Sequence, residues 1–256
     1  VQVNQDEIKK YVPNLLNKPL KAGFGKNDLT VEGSKITREL INASGYETKK
    51  ENINKLIYKK NRVIGVETDK GMIYTDEVII AAGLGTTNLI SSLKINFKMH
   101  SSLGLLAFTN KLPDSLLKHP ITGNDFHARQ DDMGRLVIGG RFDDDVSEEN
   151  NIKQAAEKLV QDMKTRINYN GVIKLDHYTL GKRPLTIDGR PKIGRLKNKI
   201  GQIIEGVYIA VMHSGITNAP LAGKLGIDEI LSGKRHSLLT DFLPQIFSNT
   251  DSGIDV

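Results

Sequence analysis

The stretch Val207-Tyr-Ile-Ala-Val-Met-His-Ser-Gly-Ile-Thr-Asn-Ala-Pro-Leu-Ala-Gly223 decides the fold. It opens on an almost wholly apolar run, the pattern of a strand buried on both faces. His213-Ser214-Gly215 breaks that run. A helix is then expected over 217–231, with Thr217 as N-cap, Ile230 and Leu231 in the last turn and Gly233 just beyond it. A strand that feeds a helix through a glycine turn is the joint of an open α/β sheet, where ligands gather at the carboxyl ends of strands.

A second joint of this kind is Ile79-Ile80-Ala81-Ala82-Gly83, a buried strand expected over 77–82 that ends in small residues. Small residues let a ligand approach the backbone closely. Upstream, Ile53, Leu56 and Ile57 form one apolar run, and 62–68 alternates through Val63, Ile64 and Val66. Asp69-Lys70-Gly71 reads as a turn before a short strand at 72–74. Further on, 103–108 and 135–139 are strand-like. The spacing of Ile152, Ala155, Ala156, Leu159, Val160 and Met163 predicts an amphipathic helix over 151–167. Near the start, 5–16 is partly helical and interrupted by Pro13. A second early helix is expected from Ser34 as cap to Gly45 as stop, with Ile36, Leu40 and Ile41 on one face. The class is mixed α and β, with more strand than helix.

Composition narrows the function. The 256 residues are 38% hydrophobic and 26% charged, a globular composition. No stretch approaches the ~18 consecutive apolar residues of a membrane helix. With no Cys, disulfide scaffolds, thiolate metal sites and cysteine nucleophiles are excluded. The net charge of +6 raises nucleic-acid binding as a rival function, but the lysines are scattered. Aromatics are only 5% with no Trp, so stacking platforms for bases are poorly supplied. No nucleic-acid partner is expected. Asp143-Asp144-Asp145 lacks the glycine and distal glutamate of a calcium loop and reads as a solvated loop. His119, His127 and His177 show no metal-ligand spacing, and no metal is expected.

Three segments in order carry a family resemblance: 63–83, the run Gly181-Lys-Arg-Pro-Leu-Thr-Ile-Asp-Gly-Arg-Pro-Lys-Ile-Gly194, and 207–223. Together they resemble the FAD-dependent oxidoreductases of the D-amino-acid oxidase superfamily, which includes glycine oxidase, sarcosine oxidase and D-amino-acid dehydrogenase. The likeness runs from about residue 1 to about residue 235. It implies an α+β / α/β fold: part of a FAD-binding Rossmann-like domain plus a substrate domain with a mainly antiparallel sheet. The resemblance assigns 1–100 and 181–235 to the remainder of the FAD-binding domain with early substrate-domain segments. It assigns 101–180 to the substrate-domain sheet and helix, and 236–256 to a C-terminal tail. The strands near 63–83 and 207–217 are expected in one sheet.

The resemblance also implies site residues. Arg183, stiffened by Pro184, is expected to hold the substrate carboxylate, for which a planar guanidinium is well shaped. Gly139 and Gly140 are expected to border the substrate cavity. Ala82 and Gly83 are expected near the FAD pyrophosphate. Gly215, Ile216 and Thr217 are expected to offer backbone donors to the reduced flavin, and Ile53 to contact FAD through its backbone. His213 is not expected to be catalytic, and no general base is identified.

One family feature has no counterpart. The glycine-rich strand–turn–helix that binds the FAD pyrophosphate is not found; Gly23-Phe24-Gly25 lacks the third glycine, the preceding strand and the following helix. The chain is therefore expected to be the C-terminal two-thirds of an enzyme that oxidises an amino acid or secondary amine by hydride transfer to flavin N5. A missing N-terminal segment or partner subunit would complete it, and one face or edge of its nucleotide-domain sheet should be open. The alternative is a non-catalytic remnant or subunit that binds no flavin by itself. The opening Val1-Gln2-Val3-Asn4 shows no signal-peptide pattern, and a cytoplasmic place, or one at the inner face of a membrane, is expected.

Overall fold

The apolar run before His213 extends further back than its pattern implies, to a strand over Ile203–Val211. The protein is described here by a computed structural model covering residues 1–140 and 149–244. The acidic run at 143–145 and the chain beyond 244 lie outside the described residues. The chain divides into two compact units. One comprises Val1–Gly45 with Leu103–Lys182, and the other Tyr46–Ser102 with the chain from Arg183 onward.

In the second unit, Ile203–Val211 is the central strand. Lys192–Lys197 runs antiparallel on one side of it. On the other side it pairs in parallel first with Arg62, through Glu205, and then with Val78–Ile80. Val207 and Ile209 face one core with Val63, Ile80, Ile90 and Leu196. Tyr208 faces a second core with Ile193, Ala222 and Leu225. Cover on both faces explains the near-continuous apolar sequence, each such side chain contributing about 1.5–3 kcal/mol on burial.

The change of partner occurs at Gly206. Its φ is 72°, and a Cβ there would stand 2.1 Å from the Val63 carbonyl oxygen. Only glycine allows the strand to bend there from one neighbour to the next. The strands Ile53–Lys59, Arg62–Thr68 and Gly71–Tyr74 form an antiparallel ribbon, and Asp69-Lys70 is its expected turn. The strand expected to be buried over 77–82 is shorter, Val78–Ile80, and lies at an edge. Among the described residues it pairs on one side only. Ile80 is buried, but Ile79 is 47% exposed and Ala81 and Ala82 are exposed.

The first unit is built on a five-stranded sheet. It contains Met99–Thr109, Ile121–Thr122, Phe126–Gln130, Leu136–Gly140 and Leu175–Thr186, and the pairings around Leu136–Gly140 are antiparallel. The helix Glu149–Lys164 lays Ile152, Ala156, Val160 and Met163 against Leu105, Ala107, Leu136 and Ile138. It stops before Ile167, which instead bridges to Leu15, while the Leu16 amide donates to the Arg166 carbonyl. The helix Gln5–Tyr11 opens on a reciprocal capping box between Asn4 and Glu7.

The helix Gly33–Ser44 starts one residue before its expected cap. Glu32 is the N-cap, without a side-chain cap bond, so Ser34 lies inside the first turn. Gly45 does end the helix, at φ 68°. None of its residues is buried; Leu40 is 60% exposed and Ile41 46%. No helix of the described residues is long and apolar enough to cross a membrane.

A charged turn closes the hairpin between Phe126–Gln130 and Leu136–Gly140. Asp131 accepts hydrogen bonds from the Met133 amide (3.0 Å), the Arg135 amide (2.8 Å) and Arg135 Nε (2.9 Å). Burial pushes its carboxyl up, but these donors and the guanidinium charge outweigh that and hold it below its ordinary 3.8. The stabilisation is thus complete above that pH and drains away as pH falls below it. Asp131→Asn should cost about 1–3 kcal/mol at neutral pH. In urea titrations the gap from wild type should narrow steadily below pH 3.8; a gap independent of pH would show that the carboxylate charge is not what the turn uses.

Glycine at 206 gives a second expectation. Gly201 has a similar φ of 82° but open space around it. Gly201→Ala should cost about 1–2 kcal/mol from backbone strain alone. Gly206→Ala adds the collision with Val63 and should cost about 3 kcal/mol or more. Equal urea midpoints for the two variants would refute the partner-switch account.

Candidate active site

Two parallel strands end side by side in the second unit. Ile80 is in register with Ile209, so the turns after both strands, Ala82-Gly83 and His213-Ser214-Gly215, stand at the same carboxyl edge. Gly83 has φ 54° and opens a short 3-10 turn over Gly83–Gly85. The hydroxyls of Thr86 and Thr87, directly after that turn, are buried without a hydrogen-bond partner.

The second turn opens the helix Gly215–Ser232. It begins two residues before the expected start. Ser214, at φ 59°, is the N-cap and makes no side-chain cap bond. Thr217 is therefore a first-turn residue and not the cap. The reversal at Ser214 lets the helix start at Gly215, and the Ser214 hydroxyl meets His213 Nδ1 at 2.7 Å instead of capping an amide. Gly215, Ile216 and Thr217 are all exposed, and apart from its chain neighbours and its own helix backbone no atom lies within 4 Å of where a Gly215 Cβ would be. The helix thus presents uncapped amide donors and the positive end of its dipole at an open edge.

Distant contacts fix this helix. Tyr208 on the central strand donates to Glu229 Oε2 at 2.8 Å, and Arg235 Nη1 donates to both Glu229 oxygens at 3.0 and 2.7 Å. Burial, and then the Glu229 carboxylate, push the Tyr208 hydroxyl well above its ordinary range, so it stays a donor. The edge strand is held by Arg195, which grips Glu77 with bonds of 2.8 and 3.2 Å.

Arg183 lies near the end of the strand Leu175–Thr186 and is half-buried. The next residue, Pro184, packs on the first glycine turn: a Cβ on Gly83 would lie 3.8 Å from Pro184 Cγ. A braced turn follows. The Gly189 amide donates to the Thr186 carbonyl at 2.9 Å, and the buried Lys192 ammonium reaches Asp188 at 2.6 Å. Burial raises the Asp188 carboxyl, but Lys192 and the Arg190 amide more than offset it and hold it below its ordinary range. The other half-buried arginines of the described residues all pair with carboxylates: Arg129 with Glu32, Arg135 with Asp131, Arg166 with Asp125, Arg195 with Glu77 and Arg235 with Glu229. Arg183 has no ion pair or hydrogen-bond partner for its side chain among the described residues.

The structure thus gathers Ala82, Gly83, Gly215, Ile216 and Thr217 at one sheet edge and sets Pro184, the residue after Arg183, against Gly83. Ile53 stands at the start of the antiparallel ribbon, 40% exposed. Gly139 and Gly140 belong to the first unit. A Cβ on Gly139 would strike the His127 ring at 2.3 Å, and one on Gly140 would meet Leu159 at 2.7 Å. Sequence reading missed the Ser214 reversal and the orphan hydroxyls of Thr86 and Thr87. Neither has a signal in a single sequence, because each depends on backbone path.

Parallel strands that end in glycine turns, one of them opening an uncapped helix, give the second unit an α/β architecture; an antiparallel sheet unit accompanies it. The chain belongs to the FAD dependent oxidoreductase family, whose pattern matches residues 2–228, and lies within the D-amino-acid oxidase superfamily. It is similar to the glycine oxidase of Bacillus licheniformis, 23% identical over 239 residues, covering 88% of this chain and 61% of that protein. The chain spans about three fifths of the length of the curated relatives it matches. Among solved structures it is similar to L-proline dehydrogenase from P. horikoshii, with TM-score 0.80 and 17% identity, covering 95% of this chain and 67% of that one. It is also similar to glycine oxidase from Bacillus cereus ATCC 14579, with TM-score 0.74 and 21% identity, covering 94% and 67%.

The family's cofactor is FAD. The edge fits such a group: backbone donors without caps, glycines without crowding and two buried hydroxyls without partners all suit an anionic, acceptor-rich ligand. If Gly215 is kept for close approach and not for its own conformation, Gly215→Ala should leave the fold intact. Its melting point should equal wild type or rise slightly, by less than about 1 kcal/mol of stability. A marked drop in thermal melts would make Gly215 a structural glycine.

Proposed function

We propose that this chain supplies the substrate-binding part and one edge of the flavin site of an FAD-dependent enzyme that oxidises an amino acid or secondary amine. The observation that carries this reading is Arg183, a half-buried guanidinium without a carboxylate partner, one residue from a proline packed on Gly83. A cation left unpaired beside a nucleotide-binding edge suits an anionic substrate, and its planar fork suits a carboxylate.

Arg183 would hold the substrate carboxylate and so orient the α-carbon. Ala82 and Gly83 would let the pyrophosphate approach the backbone. The amides of Gly215, Ile216 and Thr217 would face the flavin edge that gains negative charge on reduction, a placement worth up to ~2 kcal/mol in a partly buried geometry. Bound FAD would supply the two-electron acceptor, with N5 as the position that receives the hydride, while Arg183 holds the α-carbon in place. Such an oxidation would leave an imine, which water would hydrolyse to a keto acid and the free amine. Ile53 as a cofactor contact, and Gly139 and Gly140 at the substrate, rest on the family resemblance.

FAD also needs a glycine-rich strand–turn–helix for its pyrophosphate. We assign this chain the C-terminal portion of the enzyme. That second element, on the same polypeptide or on a partner, would add its strand to the unpaired side of Val78–Ile80.

Two measurements test the reading. The first is the visible spectrum of the purified protein, before and after FAD is added with the glycine-rich segment; a preparation that stays colourless throughout supports the non-catalytic alternative. The second is flavin reduction by an amino acid in wild type, Arg183→Ala and Arg183→Lys, with an uncharged amine as control. Arg183→Ala should lose roughly 30- to several-thousand-fold in kcat/KM for the amino acid. Arg183→Lys should recover only part of that, and flavin content should hold in both. Equal losses for the amine, or loss of flavin, would remove Arg183 from the carboxylate role.

A further inference from the structure

A cavity of about 470 Å³ lies wholly within the first unit. None of Arg183, Gly139, Gly140, Ala82, Gly83 or Gly215 lines it. Its size is that of a small-molecule site, and its walls are apolar and aromatic.

One wall is an aromatic block. The rings of Tyr11 and Phe24 stack at 4.1 Å and 12°, and His119 stands edge-on to each at 5.7 Å. The capped helix Gln5–Tyr11 and the strand Lys21–Gly23 hold the two stacked rings, so the block is set before any ligand arrives. Phe126 also lines the cavity, with the Arg166 guanidinium 4.3 Å over its ring. All four rings are half-buried, where a filled core would have buried them.

The charge of the lining is one-sided. Arg166 is its formally charged residue, and no Asp or Glu lines the cavity. Arg166 Nη2 donates to Asp125 at 2.9 Å, but that carboxylate is 60% exposed and outside the lining. Such a pair is weakly held. The guanidinium keeps further N–H donors for an anion in its own plane.

We propose that this cavity binds a small, flat, apolar carboxylic acid, with its ring against Tyr11 and Phe24 and its carboxylate on Arg166. The site is independent of flavin binding and does not rest on the function proposed above.

The probe is 2-naphthoate, with 2-naphthamide as its uncharged counterpart. The chain contains no Trp, so the fluorescence of the probe is read without tryptophan overlap. Wild type should bind naphthoate saturably at one site, and added FAD should not compete. Arg166→Gln should weaken naphthoate by about tenfold, the scale of one charge-assisted contact, and leave naphthamide unchanged. Ala22→Met adds bulk to the lining and should weaken both probes. Thermal melts report whether the variants fold; if Ala22→Met does not, the Arg166 pair of titrations decides alone. Absence of saturable binding at millimolar probe overturns the proposal. So does equal loss of both probes in Arg166→Gln, or unchanged binding in a folded Ala22→Met.

Discussion

The second unit depends on one switch of partner. The central strand leaves Arg62 and takes up Val78 across a single residue, Gly206. Without that bend the parallel pairing of Val78–Ile80 with Val207–Ile209 could not form, and the two small-residue turns would not end at one edge. The constraint is steric and local: a Cβ would overlap the Val63 carbonyl. Its consequence is long-range, because both candidate cofactor turns follow from it. The Arg195–Glu77 fork then spans the switch and fixes the edge strand from the far side.

Charge is arranged around that edge in two ways. Away from it, half-buried guanidinium groups are paired, as in Arg235–Glu229 and Arg135–Asp131, because an unpaired buried charge is costly. At the edge, Arg183 has no such partner among the described residues, and the amides after Ser214 have no cap. Single open groups occur elsewhere too, at the buried Arg235 Nε and at the uncapped start of the helix Gly33–Ser44, but an unpaired half-buried guanidinium occurs among the described residues at Arg183 alone. An unpaired cation and uncapped amide donors both suit an anionic ligand better than a neutral one.

Much of this was legible in the sequence, because burial on both faces leaves a nearly continuous apolar run. That is why 207–212 could be read, while the face of Ile152, Ala156, Val160 and Met163 was legible from its helical spacing. Glycine punctuation at Gly45 and Gly233 was equally plain, since each ends a helix at φ 68°. Other features were hidden for physical reasons. Ile79-Ile80-Ala81-Ala82 looks like a buried strand, yet edge status is a matter of partners and not of residue type. Ser34 and Thr217 are good caps by chemistry. The chain turns at Glu32 and Ser214 instead, and a cap is defined by the turn. The lack of a partner for Arg183 is a statement about its surroundings, which no local pattern encodes.

The open edge also bears on stability. A helix start without caps, two buried hydroxyls without partners and an unpaired guanidinium each forgo contacts that a folded protein ordinarily makes. Single unmade bonds of this kind cost about 1–3 kcal/mol where they are buried, a large share of a domain's net stability. A ligand that satisfies them together binds the folded state and not the unfolded one, so its binding energy becomes folding energy. Under the proposed function, the groups that recognise the ligand would thus also couple its binding to the stability of the second unit. The strand Val78–Ile80 is open in the same sense, since among the described residues its second side has no strand partner.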